Sequence, residues 1–239
     1  MDREPKAGLE LDSLVRRIRY NYPYPSVIDQ REIQRLHNAC LRYPYSCLIA
    51  IVIDAFIGLD SSPRIADLTY GVGSFYTVFR KYIGYLAGID VKKWDWLVEP
   101  DTFLQGFFES RYRELPEKSF DVVVFDPPFE TRPTSKIHVD QKPWLYHRVE
   151  PVGRMIKELP KVLEHLMKPR GIFVAKIMDP TMDGAVALES SHYALVETLA
   201  SAGYRLAEHI IFRHLSRNRP RIETQRFIKS HTHLLVFTR

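Results

Sequence analysis

The pattern of apolar and polar positions divides the chain into two parts. Up to about residue 63, apolar residues recur at helical spacing, and the apolar run 47–59 predicts a largely buried helix. From residue 64 onward, short apolar strands that end in acids or glycine alternate with helical stretches. This alternation is typical of a parallel sheet with helices on its faces. We therefore predict a small N-terminal helical cap over residues 1–63 and an α/β domain over residues 64–239.

The α/β part contains five stretches that predict parallel strands. In chain order they are RIADL (64–68), YLAGID (85–90), WLVEPD (96–101), FDVVVFD (120–126) and GIFVAKIMD (171–179). Helices are expected at about 152–167, where Pro160 is placed to begin a second helix, and at about 191–202, before Gly203. The stretches 204–212 and 231–239 predict an antiparallel pair that completes a mostly parallel sheet.

The composition is that of an ordinary globular protein. Of 239 residues, 45% are hydrophobic and 26% are charged, which one domain with a modest extension accommodates. The first residues lack the apolar core of a signal peptide, and the run 47–59 is too short to cross a bilayer. We therefore expect a cytoplasmic protein without a membrane partner. Cys40 and Cys47 lack metal-type spacing, so we expect buried thiols, no disulfide and no metal site.

The charge balance weakly favours a polyanionic partner. The formal net charge is +5, and Lys and Arg gain free energy by displacing counterions from phosphates. Basic residues cluster between the last two predicted strands, where Arg217, Arg219 and Arg221 are candidates for binding a nucleic-acid backbone. Connections of this length are uncommon without a function. A solvated charged loop explains the same residues equally well.

A glycine turn follows the first strand of the α/β part. The stretch DLTYGVG places Asp67, Thr69, Gly71 and Gly73 directly after RIADL. Glycines let the backbone turn tightly and let a ligand approach it closely. A dinucleotide fingerprint requires a third glycine where Tyr76 stands, which counts against a dehydrogenase. Taken alone, the two glycines fit a plain strand-to-helix turn equally well.

Acidic residues end four successive predicted strands. These residues are Asp67, Asp90, Asp101 and Asp126. Open α/β sheets bind ligands outside the carboxyl ends of their strands, so we expect the four carboxylates to line a ligand site. The last acid opens the stretch DPPF (126–129), where two prolines end the strand in a stiff turn.

These two motifs resemble those of a known family. DLTYGVG resembles the S-adenosylmethionine (AdoMet) loop of class I methyltransferases, and DPPF resembles the motif of those that methylate adenine N6 or cytosine N4. The terminal HTHLLVFTR is similar to the last sheet strand of that group. The resemblance covers about residue 64 to the C terminus. It implies a Rossmann-like class I methyltransferase sheet with AdoMet as the cofactor.

The resemblance also implies roles for the cofactor-binding residues. The methionine portion of AdoMet would lie against Asp67, Thr69, Gly71 and Gly73. Asp90 would bind the ribose, and Asp101 would bind the adenine amino group.

In the acceptor site, the resemblance implies that the Asp126 carboxylate and the Pro127 carbonyl bind the two hydrogens of an exocyclic amine. Phe129 would stack on the extruded base, as enzymes that act on bases require. Pro128 in the same turn and Trp144 in the following loop would also contact the substrate.

One segment departs from the family pattern. Only VKKWDW lies between Asp90 and the next predicted strand, although parallel neighbours need a longer crossover. Either the crossover helix has shrunk to a turn, or the third strand is misplaced together with Asp101.

The sequence therefore predicts an AdoMet-dependent methyltransferase that modifies the amino group of a base in nucleic acid. Only about twenty residues separate DPPF from the next helix, which leaves no room for a recognition domain and favours RNA, with ribosomal RNA as one candidate. A DNA amino-methyltransferase is the first alternative. A protein glutamine methyltransferase is another, although its motif usually has Asn in place of Asp126. A non-catalytic nucleic-acid-binding module is the third.

Overall fold

The computed structural model describes residues 26–29, 42–127, 150–178, 191–213 and 231–239. The strands are β1 (Ser26–Asp29), β2 (Arg64–Asp67), β3 (Tyr85–Asp90), β4 (Thr102–Gln105), β5 (Phe120–Phe125), β6 (Met167–Ile177), β7 (Arg205–Arg213) and β8 (His231–Thr238). The α-helices are α1 (Pro44–Phe56), α2 (Phe108–Arg111), α3 (Glu150–Leu166) and α4 (Ser191–Ser201).

The described strands form one eight-stranded sheet in the order β1-β7-β8-β6-β5-β2-β3-β4. β8 runs antiparallel to both of its neighbours, and every other pair is parallel. This confirms the predicted mostly parallel sheet with an antiparallel C-terminal strand. The carboxyl ends of β2, β3, β5 and β6 consequently lie along one side of the sheet.

The sheet is covered on both faces. Val122 and Val124 of β5 pack in the cluster that includes α1, while Val123 and Phe125 pack in the cluster that includes α2, α3 and α4. This double burial explains the nearly continuous apolar run of FDVVVF, because an inner parallel strand has no solvent face. Pro160 lies inside the single helix α3 and does not begin a second helix there.

The N-terminal part contributes more than the predicted helix. The predicted buried helix is α1, but Ser26–Asp29 also forms a strand that pairs in parallel with β7, Ser26 opposite Ile210. Residues on both sides of the predicted boundary at 63/64 therefore share one sheet, and the two-part division stays a prediction.

The expectation of free thiols is wrong for Cys47, which is disulfide-bonded; Cys40 lies outside the described residues.

The predicted third strand is wrong. The segment 91–101 is an irregular connection. The strand that pairs with β3 is β4, which begins at Thr102, directly after the predicted strand ends. Pro100 has no N–H group to donate to a sheet, which disfavours WLVEPD as an inner strand. The Asp101 N–H donates to the carbonyl of Leu86 at 2.8 Å, near the start of β3. Asp101 thus lies at the amino end of the sheet, away from Asp90.

Gly88 in β3 is a position where the fold has no room for a side chain. A Cβ atom there would lie 2.5 Å from the Tyr70 ring, which is 4% exposed and donates its hydroxyl to the Val98 carbonyl. We expect Gly88→Ala to lower the free energy of unfolding by about 1–3 kcal/mol, the usual cost of overpacking. Urea denaturation measures this change.

Gly153→Ala in α3 is the matched control, because a Cβ atom there meets nothing within 4 Å. Alanine is the better helix former, so we expect this variant to be neutral or more stable by up to about 1 kcal/mol. Equal stability of the two variants would contradict the packing of Tyr70 on β3.

Candidate active site

The turn after β2 has the open backbone that the glycine pattern predicts. Gly71 and Gly73 adopt positive φ angles of 57° and 74°. A Cβ atom on Gly73 would lie 2.6 Å from the Val98 carbonyl oxygen, whereas one on Gly71 would meet nothing within 4 Å. Gly73 is therefore required by packing against the chain itself. Gly71 is required by its backbone conformation, and it borders open space.

Asp67 holds this turn from inside. Its Oδ1 accepts the Thr69 N–H at 2.9 Å, its Oδ2 accepts the Tyr76 hydroxyl at 2.6 Å, and only 1% of the residue is exposed. Burial raises the pKa of Asp67 to about 7, while the bonds from Tyr76 and Thr69 oppose the increase. Tyr76 thus supplies a hydrogen bond at the position where a dinucleotide fingerprint has glycine. Asp67 would influence a ligand mainly through the shape of the turn.

Asp90 joins the end of β3 to the same turn. Its Oδ2 accepts the Gly71 N–H at 2.8 Å. Its Oδ1 accepts the Lys92 N–H at 3.2 Å and the Trp94 indole N–H at 3.3 Å. A carboxylate offers about four lone-pair positions, so these donors leave room for one more.

Asp126 is hydrogen-bonded directly to the glycine turn. Asp126 follows β5, which lies beside β2 with Asp67 opposite Val124. The Asp126 N–H donates to Thr69 Oγ1 at 2.6 Å. The start of the DPPF stretch and the glycine turn are therefore in contact at the carboxyl ends of neighbouring strands.

The carboxylate of Asp126 has a partner that the sequence analysis missed. Lys176 Nζ lies 2.8 and 2.9 Å from the two carboxylate oxygens. The lysine side chain is 13% exposed and the aspartate side chain 21%. Burial raises the pKa of Asp126, and the Lys176 ammonium opposes this effect.

Two aromatic rings lie beside the lysine of this ion pair. Lys176 Nζ lies 4.7 Å from the centre of the Tyr45 ring and 5.6 Å from that of Phe75. Both distances allow a cation–π attraction. The Tyr45 hydroxyl is hydrogen-bonded to Thr232 Oγ1, and burial raises the pKa of Tyr45. Helix α1, which precedes the predicted domain boundary, therefore forms part of the site.

Asp101 does not join the other acids. Its carboxylate accepts the Leu86 N–H at 2.7 Å and pairs with Arg80 at 2.7 Å, at the amino end of the sheet. The residue that lies opposite Asp90 is Gln105, at the end of β4, and the ring of Phe107 follows, 38% exposed. The prediction that four acids line one ligand site is therefore wrong for Asp101.

Two sequence signals point to the residues that were missed. Lys176 is the single charged residue in the apolar stretch GIFVAKI, where a charge requires a partner. Gln105 and Phe107 become candidates once β4 is placed directly after Asp101, because Gln105 then ends the strand and Phe107 lies just beyond it. Tyr45 has no comparable signal, because only the packing of α1 brings it to the site.

Several predicted site residues lie outside the described residues. They are Pro128, Phe129, Trp144, Arg217, Arg219 and Arg221. Their roles stay predictions.

Within the described part of the chain, no group of His, Cys, Asp and Glu side chains is arranged to hold a metal ion. No helix in that part is long and apolar enough to span a bilayer.

Comparison with protein-family models and with curated protein sequences finds no match. Among solved structures, the chain is similar to the complex between the Haloferax volcanii Trm112 methyltransferase activator and a candidate methyltransferase, with 17% identity, a TM-score of 0.53, and coverage of 84% of this chain and 91% of that one. An AdoMet-dependent methyltransferase from Archaeoglobus fulgidus matches with 13% identity and a TM-score of 0.49, over 85% of this chain and 100% of that one.

Aeropyrum pernix fibrillarin with natively bound AdoMet matches with 13% identity and a TM-score of 0.44, over 80% of this chain and 74% of that one. At these identities the similarity concerns the fold alone, and the Haloferax match exceeds a TM-score of 0.5. Together with the strand order, it shows that the chain has the Rossmann-like fold of class I methyltransferases.

The raised pKa of Asp67 predicts a dependence of stability on pH. In the folded state the carboxyl keeps its proton up to about pH 7, whereas in the unfolded chain it loses the proton near pH 4. The stabilisation is therefore complete below pH 4 and is lost as the pH rises to 7. We expect wild type to lose stability by a few kcal/mol relative to Asp67→Asn over this range, measured by urea unfolding.

Tyr76→Phe provides the control, because it removes the hydroxyl that stabilises the charged carboxylate. In this variant the loss of stability should continue to higher pH than in wild type. A stability difference between wild type and Asp67→Asn that is the same at pH 4 and pH 8 would mean that Asp67 titrates normally.

Proposed function

We propose that the chain is an AdoMet-dependent methyltransferase that modifies the exocyclic amino group of a base in nucleic acid, with RNA favoured over DNA. The observation that carries this proposal is the hydrogen bond of 2.6 Å from the Asp126 N–H to Thr69 Oγ1. It joins the turn that would hold the methyl donor to the turn that would hold the acceptor. Transfer between two bound groups depends on such proximity.

The residues around the glycine turn fit AdoMet. Gly71 borders open space that a side chain would fill, and Asp90 stands beside it. AdoMet supplies a methyl group on a cationic sulfonium when it is bound. The glycine turn would hold its methionine portion and Asp90 its ribose. Because a ribose diol brings two donors, one hydrogen bond from Lys92 or Trp94 would be replaced.

The adenine would lie beyond Asp90, at the end of β4. Asp101 cannot reach this place, because its carboxylate is bound at the amino end of the sheet. We assign the adenine contacts to Gln105, the last residue of β4, and to Phe107, two residues later. The exposed ring of Phe107 offers a stacking face, and stacking on an aromatic side chain contributes roughly 1–3 kcal/mol per base.

The acceptor site would orient an amine that is intrinsically a poor nucleophile. Its lone pair is delocalised into the base, and two acceptors on its hydrogens would favour a pyramidal nitrogen with the lone pair directed at the methyl group. The Asp126 carboxylate and the Pro127 carbonyl would be those acceptors, with Phe129 stacked on the base. The nitrogen must lose one proton after it gains the methyl group, and Asp126 would be within hydrogen-bond distance of it.

The Lys176–Asp126 ion pair supports a second candidate function. A neighbouring ammonium opposes the positive charge that an amine develops as it is methylated, whereas it stabilises the negative charge that a hydroxyl oxygen develops as it gives its proton to a base such as the Asp126 carboxylate. Lys176 lies 2.8 Å from Asp126. A ribose hydroxyl is therefore the alternative acceptor, while the resemblance of DPPF favours the amine.

Nucleic acid as the substrate rests on charge and on the resemblance. The chain carries a formal net charge of +5. Arg217, Arg219 and Arg221 are proposed to contact phosphates, and Trp144 is proposed to close over the substrate. Both sets of contacts would position the nucleic acid without determining which base is modified.

Transfer from labelled AdoMet to separate RNA and DNA pools, followed by mass spectrometry of the nucleosides, tests the function. We expect the label on an exocyclic base amine in RNA. Label on ribose would support the hydroxyl alternative, and label in DNA would correct the substrate. Absence of label from both pools would contradict the proposed function.

The role of Asp126 is tested on the same substrate. Asp126→Ala should lower the single-turnover rate by about 10²-fold or more, because a positioned hydrogen-bonding group is lost. Asp126→Asn should retain part of the rate, since one acceptor oxygen remains. Calorimetry should show unchanged AdoMet binding in both variants.

Asp121→Asn is the matched control at the opposite end of β5, where the carboxylate binds the Arg64 N–H at 2.9 Å. It should methylate at the wild-type rate. A wild-type rate in Asp126→Ala would show that Asp126 is only a turn residue.

The basic connection is tested by replacing Arg217, Arg219 and Arg221 with alanine. We expect weaker binding of nucleic acid and a salt dependence of the affinity that is smaller by about one counterion for each lost phosphate contact. Filter binding over a series of salt concentrations measures both quantities. An unchanged salt dependence would show that these arginines are simply solvated.

A further inference from the structure

The ion pair between Asp126 and Lys176 is the most enclosed of the ion pairs among the described residues. Its side chains are 13% and 21% exposed. By comparison, the pair of Lys168 and Asp121 joins the same two strands at their amino ends with exposures of 38% and 24%. Enclosure makes the charge state of Asp126 depend strongly on its partner, because little water is available to stabilise a lone carboxylate.

The register of the sheet places the two charges side by side. Phe125 of β5 lies opposite Ala175 of β6, so Asp126 and Lys176 are the next neighbours along the two strands. They continue the face formed by Val124 and Val174, which belongs to the α1 cluster. The pairing is therefore built into a central pair of strands rather than into a movable surface contact.

Aromatic side chains hold the lysine in this position. Tyr45 lies under the ammonium at 4.7 Å, and its hydroxyl is hydrogen-bonded to Thr232 of β8. Phe75, which follows the glycine turn, lies at 5.6 Å. The Lys176 ammonium thus contacts both helix α1 and the segment that follows the glycine turn.

The charged and titratable groups that face Asp126 leave Lys176 with a distinct role. Burial, and to a smaller extent the charge of Asp126, raises the pKa of Asp67, and the buried phenols of Tyr45 and Tyr76 keep their protons at neutral pH. Burial favours the neutral form of Asp126, and the Lys176 ammonium is the group that opposes this. A protonated Asp126 would donate from one oxygen and would keep only the other as an uncharged, weaker acceptor for the amine.

We propose that Lys176 is a positioning residue that keeps the Asp126 carboxylate charged and aimed as the acceptor for the methyl-accepting group. Each carboxylate oxygen keeps a second lone pair after it binds the ammonium, so the ion pair persists when the substrate binds. The inference rests on the proposed function for its chemical purpose. The effect of Lys176 on the ionisation of Asp126 concerns the protein alone and can be measured without substrate.

Carbon-13 NMR of the Asp126 carboxyl group measures its ionisation directly in the free protein. We expect its titration midpoint to rise by at least one pH unit in Lys176→Met relative to wild type. Lys176→Arg should restore the wild-type midpoint because it restores the charge. Lys176→Gln keeps a hydrogen-bond donor without the charge, so its midpoint should lie above that of wild type and no higher than that of Lys176→Met, which keeps the test available if Lys176→Met does not fold.

The pH profile of single-turnover methyl transfer provides the second measurement. If Asp126 must be charged, the low-pH limb of the profile should move upward in Lys176→Met by the same amount as the NMR midpoint, and Lys176→Arg should return it. Lys168→Met removes the matching lysine at the other end of β6 and should leave both the midpoint and the profile in place.

Two outcomes would overturn the inference. An Asp126 midpoint that is the same with lysine, methionine and glutamine at position 176 would show that the lysine does not hold the charge. A shifted midpoint with an unshifted pH profile would show that the charge is not used in the reaction. Failure of wild type to methylate any RNA or DNA would instead contradict the proposed function, and the NMR midpoint would still confirm or refute the electrostatic role.

Discussion

The structure depends on the burial of β5 between β2 and β6. Its side chains pack into apolar clusters on both faces, so a shift of register would move each side chain into the opposite cluster and disrupt the packing of both. That register puts Val124 opposite Asp67 and Phe125 opposite Ala175. The residue that follows the strand, Asp126, consequently lies between the glycine turn on one side and Lys176 on the other.

This position creates an electrostatic problem that the chain resolves in two different ways. Asp67 and Asp126 are both withdrawn from water, and the charge of Asp126 adds to the effect of burial in raising the pKa of Asp67. Asp67 receives hydrogen bonds from neutral donors, the Tyr76 hydroxyl and the Thr69 N–H, and its pKa rises to about 7. Asp126 is instead paired with the positively charged ammonium of Lys176. Neighbouring carboxyl groups with such different partners are suited to different tasks, one structural and one chemical.

The sequence predicts well those features that depend on local pattern. The glycine turn, the double-buried strand before Asp126 and the antiparallel end of the sheet follow from turn residues and apolar runs. The pattern misplaces Asp101 because an apolar stretch before an acid resembles a strand, although Pro100 and the absence of a preceding helix indicate otherwise. Lys176 and Tyr45 were missed for a different reason. The charge of Lys176 in an apolar stretch indicates that it has a partner, but the identity of that partner and the position of Tyr45 depend on contacts between distant parts of the chain.

Helix α1 shows how far the site extends beyond the glycine turn and the DPPF stretch. Ser46 Oγ accepts the Val78 N–H at 3.0 Å, and Tyr45 lies under the Lys176 ammonium while it binds Thr232. The helix therefore fixes the segment after the glycine turn and encloses the ion pair at the same time. If this face were uncovered, water would screen the attraction between Lys176 and Asp126, and the side chains would gain freedom to separate. By excluding water, helix α1 thus makes Asp126 depend on Lys176 for its charge, because little solvent is left to stabilise a lone carboxylate.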